Sequence, residues 1–198
     1  MKPWLLGIAL CLTLIGGCGT TIGNGLIKLD STPYTNVRSF FGHSIARFGW
    51  SVSEFKFCVT KLKLVARGGS PVAYQGNPDI EVILGLIDVS NENATTTWGQ
   101  VEAPVEFDLE EMRVEVHKDA ERCSGADYSV IYNGTKLDKD LEFRFAFNPP
   151  IRLNAGDTLK LGLTNIAIAF QQAANAGQLT NELIGNYLTA ETKGTGTE

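Results

Sequence analysis

Residues 53–67 have the sequence SEFKFCVTKLKLVAR, and its alternation of apolar and polar side chains decides the fold class. Phe55, Phe57 and Val59 share one face of an extended chain, and after a change of phase Leu62 and Leu64 share a face again. One extra residue in a strand produces such a change of phase. The stretch therefore predicts a long β-strand with a bulge around residues 60 and 61.

Strand-like patterns recur along the rest of the chain. The segment 105–116 alternates with a similar slip, and the segment 141–147 alternates cleanly before Asn148 and two prolines. Asn133-Gly134 lies between β-rich flanks and predicts a type I′ hairpin, and residues 155–157 predict a second one. Short, closely spaced strands of this kind indicate a mainly β protein, an antiparallel β-sandwich of seven or eight strands.

The carboxyl-terminal region predicts a helix. Leu183, Ile184, Tyr187 and Leu188 have the spacing of one helical face, and Thr180 precedes them as a possible N-cap. We expect this C-terminal helix to pack on or beside the sandwich. Residues 191–198 are polar and rich in glycine and threonine, so a disordered tail is expected there.

The amino-terminal segment MKPWLLGIALCLTLIGGC (residues 1–18) has one positive charge at Lys2 followed by an apolar run from Trp4 to Ile15. This run matches the core of a secretory signal and is shorter than the roughly 20 residues needed to span a bilayer. Gly16 and Gly17 then lead directly into Cys18. This order resembles the lipobox of bacterial lipoproteins.

The resemblance implies that residues 1–17 are a lipoprotein signal peptide and that Cys18 carries a diacylglyceryl group, with a further acyl chain such as palmitate on its amino group. Because Gly19 rather than aspartate follows, the sorting rule of such proteins predicts the outer membrane of the bacterial cell envelope. Residues 18–36 are rich in small polar residues and predict a flexible tether. A single β-sandwich domain is expected over residues 37–190.

Two of the four cysteines remain after Cys11 leaves with the signal peptide and Cys18 takes the lipid. We expect Cys58 and Cys123 to form a disulfide in an oxidising compartment, with two unrelated buried thiols as the alternative. Neither belongs to a Cys-X-X-Cys pair, and His43 and His117 are far apart in sequence, so zinc is disfavoured and no metal is expected.

The charge of the chain bears on its partners. The formal net charge is −5 at pH 7, and it becomes more negative once the segment with Lys2 is removed. A mildly acidic domain has no electrostatic basis for binding nucleic acid, and we expect it to meet a membrane only through its N-terminal lipid.

Candidate catalytic groups are weakly indicated. Ser44 beside His43 would point away from it in a strand, and no nucleophile elbow is present. Carboxylates at 108, 110 and 111 fit glycoside hydrolysis in residue type, but an acidic strand beside the basic strand 53–67 predicts sheet partners instead. The loop DVSNEN (residues 88–93) has oxygen ligands at alternate positions but lacks the glycine and distant glutamate of an EF-hand. No catalytic residue and no cofactor are assigned.

Trp98 lies in the polar stretch TTTWGQ and is the one candidate for ligand stacking, with Tyr74 and Tyr128 as possible neighbours on a sugar-binding platform. The alternative is that Trp98 packs into the sandwich.

Over residues 50–170 the pattern loosely resembles uncharacterised β-sandwich lipoprotein domains with prealbumin-like or carbohydrate-binding-like folds. We therefore expect a non-enzymatic envelope protein that acts as a structural or protein-interaction module, with a tethered carbohydrate-binding module as the alternative.

Overall fold

The computed structural model describes residues 23–34, 52–72, 79–188 and 194–197, and its architecture is mainly β. The strands are β1 (Asn24–Thr32), β2 (Phe55–Ala66), β3 (Asp79–Asp88), β4 (Thr96–Pro104), β5 (Phe107–Val116), β6 (Val130–Tyr132), β7 (Thr135–Leu137), β8 (Leu141–Leu153), β9 (Thr158–Gly162) and β10 (Gly194–Thr197). The helices are α1 (Thr164–Asn175) and α2 (Ile184–Tyr187).

The described strands form one hydrogen-bonded path in the order β4, β1, β9, β10, β8, β5, β2, β6, β7, and β3 pairs with the other edge of β2. Pairing is antiparallel except between β1 and β9 and between β8 and β10. Strand β4, at one end of this path, packs face to face against its later strands, because Trp98 of β4 stacks edge-on against Phe57 of β2 and Phe145 of β8. The mainly β, sandwich-like fold is thus confirmed, with ten described strands rather than seven or eight.

An aromatic cluster fills the interior between the strands that pack face to face. Phe55 and Phe57 project inward from β2, and Phe143 comes from β8; each is at most 1% exposed. Ring pairs such as Phe57 with Phe143, with centroids 5.1 Å apart, adopt the edge-to-face geometry that the ring quadrupoles favour. Helix α1 completes this core by placing Phe170 5.2 Å from Phe55.

The predicted irregularities in the strands are present. The register of β2 against both neighbours shifts between Val59 and Lys61, and the register of β5 against β8 shifts between Leu109 and Glu111. Asn133 and Gly134 have positive φ angles of 46° and 82° and join β6 to β7. These features follow from local chemistry, which explains why the sequence revealed them.

The amino-terminal boundary of the domain differs from the prediction. Residues 24–32, expected to lie within a flexible tether over 18–36, form β1 between β4 and β9, so the domain does not begin at residue 37. Ile27 and Leu29 on this strand are fully buried. Exposed Leu26 and the buried polar residues Asp30 and Ser31 obscure the alternation, but the buried aliphatic residues stabilise the strand against its two neighbours.

The carboxyl-terminal boundary also differs. Residues 194–197 of the expected disordered tail form β10, which lies between β8 and β9. The turn at residues 154–157 therefore does not join a paired hairpin, because β8 and β9 each pair with β10 instead. Two open strand edges supply hydrogen-bond partners that the tail's own sequence does not reveal.

A helix is present near the carboxyl end, as expected, but most of it lies upstream of the predicted position. The long helix is α1, whose buried residues include Ile166, Phe170 and Ala173, at helical spacing. The segment predicted to be helical around residues 183–188 contributes only the single turn α2. No side-chain cap hydrogen bond is made at the start of α2, so Thr180 does not act as the expected N-cap.

Candidate functional site

The predicted disulfide joins Cys58 of β2 to Cys123 in the loop after β5, with their Cα atoms 5.8 Å apart. Both cysteines are fully buried in a small apolar cluster of their own that includes Ala126. The backbone amide of Cys58 donates to the Ser129 carbonyl at 2.9 Å, and the Cys58 carbonyl accepts from the His117 amide at 3.1 Å. The bridge thus holds the excursion of residues 117–129 against the outer face of β2.

That excursion forms one wall of a shallow, open, charged cleft of about 300 Å³. The other wall comes from β2, β3 and β5. The cleft is lined by polar and charged side chains of both signs: Thr60, Lys61, Glu81, Glu115, His117, Lys118, Asp119 and Arg122. None of these residues was predicted to form a site, although residues 117–122, directly before Cys123, carry several charges of both signs.

Most of the charges around the cleft are matched by a neighbouring group. The Lys61 ammonium lies 2.7 Å from Asp79, which also lies 3.3 Å from Lys63. A hydrogen bond to Asp79 raises the pKa of Lys61, and the same bond is the main cause that lowers the pKa of Asp79 below its ordinary value. These side chains stabilise one another across β2 and β3, as expected for paired charges on neighbouring strands.

His117 lies between two carboxylates on the rim of the cleft. Its Nε2 is 3.1 Å from Glu115 and its Nδ1 is 3.0 Å from Asp140. Among the described residues, no group of three or more His, Cys, Asp or Glu side chains is arranged to hold a metal ion. Through these two contacts, His117 connects β5 to the segment before β8.

Trp98 does not lie where a ligand could stack on it. Its side chain is only 4% exposed and packs between Phe57 and Phe145, with ring centroids 5.2 Å and 5.9 Å away. Its Nε1 has no hydrogen-bond partner in the described part of the chain, so packing holds the ring. The ligand-stacking hypothesis for Trp98 is therefore wrong, and the alternative of core packing is correct, because alternation along β4 turns this side chain inward.

Tyr128, a further member of the proposed sugar platform, gives that platform no support. Tyr128 is half-buried, and the Lys136 ammonium lies 5.5 Å from its ring centroid, over the face that a sugar would need. Tyr74, His43, Ser44 and the proposed lipidation site Cys18 lie outside the described residues.

The acidic side chains considered for glycoside hydrolysis do not converge. Glu111 is buried and lies 2.6 Å from Arg113, whereas Glu110 accepts a hydrogen bond from the Gly68 amide at 3.2 Å. Asp108 lies 3.8 Å from Arg152. Each carboxylate has a separate structural partner. Strand β5 does lie beside the basic strand β2, as the sheet-partner interpretation expects, but these three contacts are not made with the basic side chains of β2.

The loop considered for calcium is closed by its own hydrogen bonds. The Asp88 carboxylate accepts from the Ser90 hydroxyl at 2.6 Å and from the Ser90 amide at 3.0 Å. Partial burial works to raise the pKa of Asp88, but these bonds and nearby Lys56 together lower it. Asp88 therefore stabilises a turn between β3 and β4.

Comparisons with protein-family models, curated proteins and solved structures gave no match for this chain.

Proposed function

We propose that this chain is an exported, lipid-anchored protein of the bacterial envelope that acts as a non-enzymatic structural or protein-interaction module. The observation that carries the proposal is the buried Cys58–Cys123 disulfide. Structural disulfides persist in oxidising compartments, which a chain reaches by export. The segment ending in Gly16-Gly17-Cys18 supplies both the export signal and the acylation site that such a protein needs.

The anchor follows from lipid chemistry. Each buried methylene contributes about 0.8 kcal/mol, so two or more acyl chains on Cys18 hold a protein at a bilayer far more firmly than one. None of the described helices is long and apolar enough to cross a membrane. The proposed attachment, at the outer membrane, is through the lipid on Cys18.

The charged surface supports a role in interaction rather than chemistry. Several carboxylates of β3 and β5 are matched with cations on their own or neighbouring strands, as Asp79 is with Lys61 and Lys63. A sheet face of this kind gives a rigid, polar surface whose charges can also meet complementary charges on a protein partner.

The test is mass spectrometry of the full chain purified from the membranes of a bacterial host. We expect a mature chain that begins at Cys18 with the mass of a diacylglyceryl group and an added acyl chain. The variant Cys18→Ala should lose this mass and leave the membrane fraction, whereas Ser124→Ala, on the exposed loop beside Cys123, should keep both. A chain that lacks the lipid, or that stays in the membrane with Cys18→Ala, would contradict the proposal.

A further inference from the structure

The position of β1 limits how far the domain can lie from an anchor at Cys18. Asn24, the first residue of β1, is six positions after Cys18. A fully extended chain advances at most about 3.5 Å per residue, so this connection spans at most about 20 Å. A tether through residue 36 would have allowed about three times that reach.

The start of β1 belongs to one end of the sandwich, which we call the anchor pole and define as residues 23–26, 104–107 and 153–157. The Val105 amide donates to the Gly23 carbonyl at 2.9 Å, and the Gly156 amide donates to the Leu26 carbonyl at 2.8 Å. A methyl group added to Gly25 would lie only 2.7 Å from the Ala155 side chain. The three segments therefore form one closely packed surface.

The opposite end of the sandwich lies one strand length away. Ser31, near the end of β1, pairs with Thr96, and the Tyr34 amide donates to the Glu92 carbonyl at 3.0 Å. Nine residues of β-strand separate the two ends by about 27 Å. Thr95 is exposed at this far end, just as Ala155 is exposed at the anchor pole.

We propose that the anchor pole lies against the surface of the bilayer that holds the Cys18 lipid, with β1 directed away from it. This inference rests on the proposed lipidation of Cys18. We infer that the partner of the anchor pole is a lipid surface, because the chain between the acylated cysteine and the first strand is too short to hold this end far from the bilayer.

The charges of the anchor pole do not by themselves attract it to a bilayer, so its contact with the membrane depends on the short connection to Cys18. Glu106 and Asp157 give it negative charge, which does not attract anionic headgroups. Leu26 is 53% exposed at the same end and adds apolar surface that can enter the headgroup region. The short connection between Cys18 and β1 therefore holds the domain at the membrane, and no basic patch contributes.

The experiment uses the full lipidated chain in vesicles of phosphatidylcholine that carry a nitroxide quencher on a fraction of the headgroups. A fluorophore is attached to a new cysteine in Ala155→Cys or, as the matched control, in Thr95→Cys. We expect fluorescence quenching at Ala155→Cys to exceed that at Thr95→Cys at least threefold. Inserting twelve Gly/Ser residues after Gly19 should bring the two values together.

The experiment distinguishes failure of the proposed orientation from failure of the lipid anchor. Mass spectrometry of the same sample reports acylation, and a chain without it, which does not float with the vesicles, overturns the proposed function. If the chain is acylated and floats but the two labels are quenched equally, only the orientation is overturned. Quenching at Ala155→Cys that the insertion leaves unchanged also overturns the orientation set by chain length.

Discussion

Asp79 shows how single residues of the outer sheet face contribute to stability. Its carboxylate lies within 3.3 Å of both Lys61 and Lys63, and its side chain is only 17% exposed. Because the lysines hold its pKa below the ordinary value of 3.8, the folded state binds fewer protons than the unfolded chain near that pH. The stabilisation is therefore present above the unfolded pKa and is lost as the pH falls through the lower folded pKa.

We expect Asp79→Asn to reduce the free energy of unfolding by about 1 kcal/mol at pH 7. The difference from the wild type should shrink as the pH falls below about 4, because protonation removes the same charge. Urea unfolding at several pH values measures this. Asp127→Asn is the control, since its partner Lys136 is also close, at 2.6 Å, but both side chains are more than half exposed. A difference at pH 3 that is as large as the difference at pH 7 would refute the linkage.

Strand β10 shows what a short element contributes. It lies between β8 and β9, and a methyl group added to Gly194 would lie 2.5 Å from the Gly162 carbonyl oxygen and 2.6 Å from the Phe145 ring. Only glycine fits such an approach without a shift of the backbone. Glycine is therefore required at position 194 because the neighbouring strands approach closely, and not because of a turn.

We expect Gly194→Ala to lower the free energy of unfolding by about 1–3 kcal/mol through overpacking. Gly23→Ala is the matched control, because nothing lies within 4 Å of the added methyl group. Thermal or urea unfolding of both variants gives the comparison. Equal stability of Gly194→Ala and the wild type would show that β10 does not occupy this position in solution.

At the scale of the whole molecule, the disulfide connects residues 65 positions apart and fixes the wall of the charged cleft. The chain-entropy estimate for a loop of this length is about 4 kcal/mol. The bridge lies outside the aromatic core, in a separate small cluster, so the sandwich can retain its core without it.

We expect the double variant Cys58→Ala/Cys123→Ala to fold with a free energy of unfolding lower by up to about 4 kcal/mol. Amide hydrogen exchange should accelerate most over residues 117–129, because the bridge holds this excursion to β2. A reductant should lower the stability of the wild type and leave that of the double variant unchanged. Identical exchange in both proteins would contradict this role of the disulfide.

Features that depend on neighbouring residues could be predicted from the sequence alone. Alternation between Phe55 and Leu64 predicted β2, and its change of phase located the bulge. Asn133-Gly134 predicted a hairpin because positive φ angles at both positions favour these residues. The pairing of Cys58 with Cys123 is the exception, since it is not local; it was predicted from the number of cysteines, on the expectation that Cys11 leaves with a signal peptide and that Cys18 is acylated.

Features that depend on partners distant in sequence could not be predicted from local patterns. Strands β1 and β10 have little periodicity of their own and become ordered because open edges of other strands accept their hydrogen bonds. Trp98 is buried among polar neighbours in sequence because Phe57 and Phe145 surround it in space. The charged cleft arises where a disulfide brings the loop 117–129 over β2. Non-local pairing and packing carry no signature in a local stretch of sequence, which is the physical reason these features became visible only in the folded chain.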